Sequence, residues 1–266
     1  MSVDRKARVG LRVVALGYLA VLLLVPVGLI FYRTFEKGLG AFIDSITTPA
    51  AIHALFLTLE VAAITVPLNA VFGVFAALAL VRGRAPGKRV LDALIDLPFA
   101  ISPVVIGLAL LLVYGRQGWW GGWLIDNGFQ VIFALPGMVL ATIFVSLPFV
   151  VREVVPVLRE IGDEQEEASA TLGASSWQTF WRVTLPAIRW GVAYGVVLTT
   201  ARALGEFGAV SVVSGRIAGR TETMTLHVEE RFQAFEVQDA YAASVVLALL
   251  AVMTLLAMTL LRKDEA

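Results

Sequence analysis

The sequence predicts an all-α protein that crosses a membrane several times. Three observations carry that prediction. Apolar residues make up 58% of the 266-residue chain, and its mean hydropathy is +0.82. Charged residues make up only 16%, against roughly 25% in an average soluble domain. The apolar residues are also gathered into long runs, and about 20 such residues suffice to cross a bilayer as a helix. Lys+Arg and Asp+Glu each total 21, so no net charge points to a nucleic acid or another polyanion. The absence of cysteine excludes disulfides, thiolate metal sites and thiol catalysis.

Six spans are expected, at residues 11–32, 55–81, 94–114, 131–151, 188–213 and 241–261. Arg5, Lys6 and Arg8 precede the first, which resembles the charged start of a signal peptide. Its apolar run is long and no small-residue cleavage site follows, so it is expected to remain as an anchor. With the N-terminus inside, fourteen Lys and Arg fall in inner segments and six in outer ones. That bias places both termini in the cytoplasm. The longest inner connection is 152–187 and the longest outer one 214–240. Neither is long enough to bury a core of its own, so the chain is expected to be one membrane domain, 1–266.

Pro98, Pro103, Pro136 and Pro148 lie at or within the third and fourth spans. They predict kinks or unwound turns. Asp96, near the inner boundary, is expected to snorkel or cap. Gly191 and Gly195 form a G-x-x-x-G pair in the fifth span, which suits a close helix contact but is also common in any membrane bundle.

The inner connection has a design of its own. Residues 163–186 read DEQEEASATLGASSWQTFWRVTLP. Asp163 stands three residues before Glu166, and Ser175 three before Gln178, so two capping boxes are predicted. Gly173 between them suits the left-handed position that ends a helix. Trp177, Phe180 and Trp181 follow at i, i+3 and i+4, a single aromatic face. Pro186 is expected to close the segment before the next span. Such a pair of short helices is either an amphipathic element on the membrane surface or a docking element for a soluble partner.

The spacing Glu167-Ala168-Ser169, three residues, Gly173, nine residues, Val183, one residue, Leu185-Pro186 resembles the EAA loop of ABC importer permeases. That family's pattern is E-A-A, three residues, G, nine residues, I, one residue, L-P. Ser169 and Val183 are the departures. ARALGEFG at 201–208, DLPFAISP at 96–103, FALPG at 133–137 and VSGRIAGRTET at 213–223 are similar to sulfate and molybdate permeases, the last to the W-type subunit of sulfate/thiosulfate importers. The resemblance implies a type I ABC importer permease fold. It also implies a second, related permease subunit, a cytoplasmic ATPase pair carrying ATP and Mg, and a periplasmic binding protein that delivers sulfate or thiosulfate. Glu167, Ala168, Gly173, Trp177, Phe180, Trp181, Leu185 and Pro186 would then form the ATPase-coupling loop. A molybdate or tungstate permease is the alternative within the family. A channel or secondary transporter is the alternative outside it.

The chain itself agrees with a separate motor. Its only Gly-Lys pair, Gly87-Lys88, is followed by Arg89, and Arg82 occupies the place of the first glycine of a phosphate-binding loop. Enzymatic readings fail on inventory. His53 and His227 are the only histidines, neither falls in an expected span, and no H-E-x-x-H or G-x-S-x-G occurs.

Arg202 and Glu206 are the strong charges placed inside a span. An ionisable group near mid-bilayer costs about 2.5–3.5 kcal/mol on insertion scales. At i and i+4 they are expected to share a helix face and pair. A structural ion pair, a gate or pathway element, and a direct anion ligand all remain open. The outer segment, with Arg216, Arg220, Glu222, Glu229, Glu230, Arg231, Glu236 and Asp239, suits either a docking surface or a solvated amphipathic helix.

Overall fold

The computed structural model describes residues 5–83 and 86–263, with side chains described from 10 to 256. The side chains of Arg5, Lys6, Arg8, Arg262 and Lys263, and all of Arg84, therefore lie outside the described residues; each belongs to the inner-side charge count above. Every regular element among the described residues is helical.

Helix α1 (Arg5–Leu19) passes through one π-turn, Ala20–Leu24, into α2 (Val25–Phe35), and α3 (Gly38–Ile46) follows. Pro26, the second residue of α2, explains the wide turn. It has no N–H to donate and its ring crowds the carbonyl four residues back. Next comes α4 (Pro49–Val81), which starts six residues before the expected span. The Thr48 hydroxyl accepts from the Ala51 N–H at 3.2 Å, and Pro49 follows at the first helical position. His53 therefore lies inside a membrane-length helix, contrary to expectation, and its Nε2 is buried without a hydrogen-bond partner among the described residues.

The third expected span is broken. Helices α5 (Lys88–Ala100) and α6 (Pro103–Tyr114) meet at 112°. Ile101 and Ser102 are extended, with ψ of 136° and 134°, as the clash with the Pro103 ring demands of the residue before it. A short α7 (Gly121–Asp126) precedes α8 (Leu135–Ile161), which runs ten residues beyond the expected fourth span despite Pro148 and Pro156. Arg152 is thus on a helix rather than in a loop. It hydrogen-bonds Asp92 and Asp96 of α5 at 2.8 Å each, so Asp96 is an ion-pair partner rather than a snorkelling or capping residue. After the connection come α9 (Glu164–Thr171), α10 (Ser176–Thr179), a second π-turn at Phe180–Thr184, and α11 (Leu185–Leu204). The expected fifth span ends here: Gly205 breaks it, and α12 (Val210–Val213) is a separate turn. Helices α13 (Met224–Gln233) and α14 (Val237–Lys263) complete the chain.

By length and composition, four described helical runs can cross a membrane: Gly10–Phe35, Pro49–Val81, Leu135–Ile161 and Val237–Leu256. The bent α5–α6 pair is a fifth candidate, and α11, with two arginines, packs in the same bundle. Of the six expected spans, four are thus matched by long apolar runs and the third by the broken α5–α6 pair, a break that its prolines predict, while the fifth corresponds to the shorter, polar-tipped α11.

Helix α8 is the hub, packed on α4, α11, α5, α6 and α12. Lipid is as apolar as the helices, so association there depends on close packing rather than on water exclusion. Small residues supply it. A Cβ at Gly73 of α4 would sit 2.6 Å from Val150 Cβ, and one at Gly195 of α11 would sit 2.8 Å from Val150 Cα. Val150 of α8 is fully buried between those two glycines, and Gly191 faces Glu153 and Val157 of the same helix. The G-x-x-x-G pair is thus a helix contact. The first span contrasts with this hub. None of its apolar stretch is buried in the chain; Gln238 donates to the Thr34 carbonyl at its end at 2.8 Å, and Ser45 of the following α3 donates to Asp239 at 2.6 Å.

Candidate functional site

The connection between α8 and α11 is built from short-range chemistry at one place and long-range chemistry at another. Gly173 has φ +87°, the left-handed conformation that β-branched residues resist. Around it the Gly173 and Ala174 N–H groups donate back to the Ala170 and Ser169 carbonyls at 3.0 and 3.1 Å, closing α9. The second capping box forms as expected. Gln178 N–H donates to Ser175 Oγ at 3.3 Å, and Ser175 N–H donates to Gln178 Oε1 at 3.0 Å.

The first capping box does not form, because Asp163 makes no side-chain cap. Glu166 is drawn elsewhere. Its Oε2 accepts from Arg82 Nε at 2.9 Å, and its Oε1 accepts from Thr184 Oγ1 at 2.9 Å. Arg82 also donates to the Gly162 carbonyl. One carboxylate therefore joins the end of α4, the first loop helix and the turn that leads into α11. Ser169, a departure from the family pattern, has a structural role. Its hydroxyl meets Thr179 Oγ1 at 2.7 Å and bridges α9 to α10.

Pro186 does not close the segment. Residues 176–204 run on as one helical path, and the π-turn before Leu185 takes up the proline. Leu185 N–H donates to the Phe180 carbonyl, five residues back. The aromatic face forms as predicted. Trp177 and Trp181 lie 5.5 Å apart edge to face, and Phe180 is 6.2 and 5.3 Å from them. Phe180 stacks near-parallel on Phe75 of α4 at 6.4 Å and joins the core of α4, α8 and α11. The tryptophans remain 67% and 51% exposed, and Leu172, Glu167 and Ala168 of the same loop are also exposed. Exposed aromatic side chains on a braced loop suit an interface hot spot.

The charged pair sits at the far end of α11. Arg202 Nη1 lies 2.7 Å from Glu206 Oε2. The pair does not lie on one continuous helix, since the helix ends at Leu204. Glu206 is 97% buried, and its other oxygen, Oε1, accepts from the Ala209 N–H at 2.8 Å. Its backbone carbonyl accepts from Thr225 Oγ1 at 2.7 Å. Arg202 keeps 30% of its side chain accessible. Gly208 brings this break against Pro103 of α6, where a Cβ would lie 2.9 Å from the proline ring, so the two broken segments meet.

The sequence reading missed Arg82, Glu166 and Thr184 as a unit, since Arg82 and Glu166 are 84 positions apart. Their one local trace, Glu166 three residues after Asp163, points to a different bond. It also missed the buried contact of Glu222 with His227.

A multi-helix membrane bundle with a braced inner loop is the architecture of a transport permease, and comparison with known proteins assigns the chain to that class. In overall structure the chain is similar to a chain of a bacterial ABC transporter involved in the import of the acidic polysaccharide alginate, with a TM-score of 0.79 at 17% identity, covering 96% of this chain and 94% of that one. The methionine ABC transporter MetNI gives 0.61 at 18% identity, covering 81% and 95%. Residues 69–263 match the model of the binding-protein-dependent transport system inner membrane component, and the chain belongs to that family. It is 55% identical to the sulfate transport system permease protein CysW of Synechocystis, over 91% of this chain and 87% of that one. The Escherichia coli K12 protein of the same name is 49% identical, over 91% and 84%. The E. coli K12 sulfate transport system permease protein CysT is 40% identical, over 88% and 85%. The chain is thus a multi-pass inner-membrane component of a transporter rather than an enzyme.

Proposed function

We propose that this chain is one of two related permease subunits of an ATP-driven importer that carries sulfate and thiosulfate from periplasm to cytoplasm. Relatives at about half identity over nine-tenths of the chain carry the sulfate transport name. CysT is the model for the second subunit. The observation that carries the mechanism is the loop at 163–186, whose exposed tryptophans stand on a base fixed by Phe180 and by the Arg82–Glu166–Thr184 bonds. A partner ATPase, holding ATP and Mg, closes on nucleotide and moves that loop. Because Glu166 ties the loop to α4 and to the start of α11, the displacement reaches both helices without slack. The spans then alternate between outward and inward access. Glu167, Ala168, Gly173, Leu185 and Pro186 complete the grip, and both termini face the cytoplasm.

Arg202 and Glu206 occupy a break in α11 against the break in α5–α6, and we assign them to the gate of the path. Their pairing at 2.7 Å partly cancels the field an anion would feel, which favours a gate over a tight anion ligand. The test is reconstitution with the chains that co-purify in mild detergent. ATP-dependent uptake of radiolabelled sulfate, competed by thiosulfate more strongly than by molybdate, is expected. Uptake that persists with a hydrolysis-dead ATPase would overturn the reading, and preferred competition by molybdate would change the substrate.

A further inference from the structure

The segment between α12 and α14 is anchored at the end of the bundle away from the coupling loop. Met224 N–H donates to Thr58 Oγ1 at 2.8 Å, whereas the loop attaches to the same helix at Arg82. Those anchors are 24 residues apart, about 36 Å along a helix. The segment is rigid, since Thr225 also ties it to the Glu206 carbonyl. Within it Glu222 and His227 are 1% and 2% exposed, in a chain whose function uses neither.

His227 and Glu230 stand at i and i+3 on α13, and Glu222 comes from the turn before that helix. His227 Nδ1 lies 3.2 Å from Glu222 Oε1. One donor atom from each of Glu222, His227 and Glu230 falls within 4.8 Å of the other two. The second oxygen of Glu222, Oε2, is buried and has no hydrogen-bond partner among the described residues. Burying a carboxylate oxygen without a partner is costly, and native structures rarely leave one so. The nearby guanidinium makes no hydrogen bond to that oxygen: Arg231 Nη2 is 3.7 Å from Glu230, its Nη1 is taken by Glu236, and its Nε is likewise buried without a partner among the described residues.

We propose that Glu222, His227 and Glu230 form a site for a divalent transition metal, with Zn(II) the best fit. One imidazole and two carboxylates are a donor set that zinc accepts, with a fourth position left for water. Glu230 is on the exposed edge, which gives the ion its way in. A bound cation would neutralise the buried Glu222 and lock α13 to the turn before it, bracing the contact with Glu206.

The test uses the full-length chain in mild detergent with whatever chains co-purify. It is stripped with chelator, re-equilibrated with Zn(II), desalted, and its metal counted. Retention close to one zinc per chain is expected. Glu230→Gln and His227→Gln should each lower retention at least tenfold, while Glu229→Gln, beside the site, should leave it unchanged. Because Glu230 is exposed, E230Q keeps the test valid should H227Q fail to fold. No zinc on the wild-type chain would overturn the proposal, and so would equal retention in E230Q or equal loss in E229Q. Any of these results would leave Glu222 and His227 as a buried structural contact only.

Discussion

Glu166 and Glu206 tie helices together at opposite ends of the molecule, in different surroundings. Glu166 keeps about a quarter of its side chain exposed and holds Arg82 and Thr184 across three elements. Glu206 is almost wholly buried, pairs with Arg202 four residues away, and caps the turn that begins with Ala209. The first is a junction between distant parts of the chain, screened by water and backed by Phe180, Gly173 and the Ser175 box. The second is local in sequence but stands alone in a buried break. Redundant support should make the loop end tolerant of single changes, and the broken helix intolerant.

The largest effect is therefore expected at Glu206. Glu206→Ala leaves Arg202 without its counter-charge and the Ala209 N–H without its acceptor, and should cost about 2–3 kcal/mol, less than the ~3–5 kcal/mol of a fully buried pair because Arg202 retains access. Thermal unfolding in detergent measures it. A smaller loss in Arg202→Met/Glu206→Met than in Glu206→Ala would identify the unpaired charge as the main cost. Next is Gly173→Val, which forces a β-branched residue to φ +87° at about 1–2 kcal/mol. Its stability loss should be modest, but sulfate uptake per ATP hydrolysed should fall at least tenfold, since the turn sets the angle of the aromatic helix. Normal uptake would remove Gly173 from the coupling argument.

Ser175→Ala should cost about 1 kcal/mol as a lost cap, whereas Asp163→Ala should stay within about 0.5 kcal/mol, because that cap is not made. Equal losses at the two sites would contradict the bonding described for Glu166. The smallest quantity is the coupling between Arg82 and Glu166. A double-mutant cycle to alanine should return about 0.5–1 kcal/mol, as for a partly screened pair. A value near that of the Arg202–Glu206 pair would show that water screens the loop junction less than its exposure implies.

Much of the loop was legible. The Ser175–Gln178 box, the left-handed Gly173 and the aromatic spacing of Trp177, Phe180 and Trp181 are contacts within four residues, and local pattern encodes them directly. Helix starts were less so. Thr48 before Pro49 carried the signal for the early start of α4, but hydropathy alone hid it under the polar residues around His53. The breaks after Ala100 and Leu204 fell inside apolar runs. There Pro103 and Gly205 were visible, but their consequences depended on neighbours such as the contact of Gly208 with Pro103.

The sequence by itself determined the class of protein, the places of its apolar runs and the left-handed turn at Gly173 in the loop at 163–186. Each follows from composition, or from bonds between residues a turn apart. The tertiary structure alone decided that Glu166 serves Arg82 instead of Asp163, that Val150 is pinched between Gly73 and Gly195, and that Glu222 meets His227 out of reach of water. Those outcomes rest on which helices lie side by side, and a carboxylate satisfies itself with the nearest donor in space, whatever its distance along the chain.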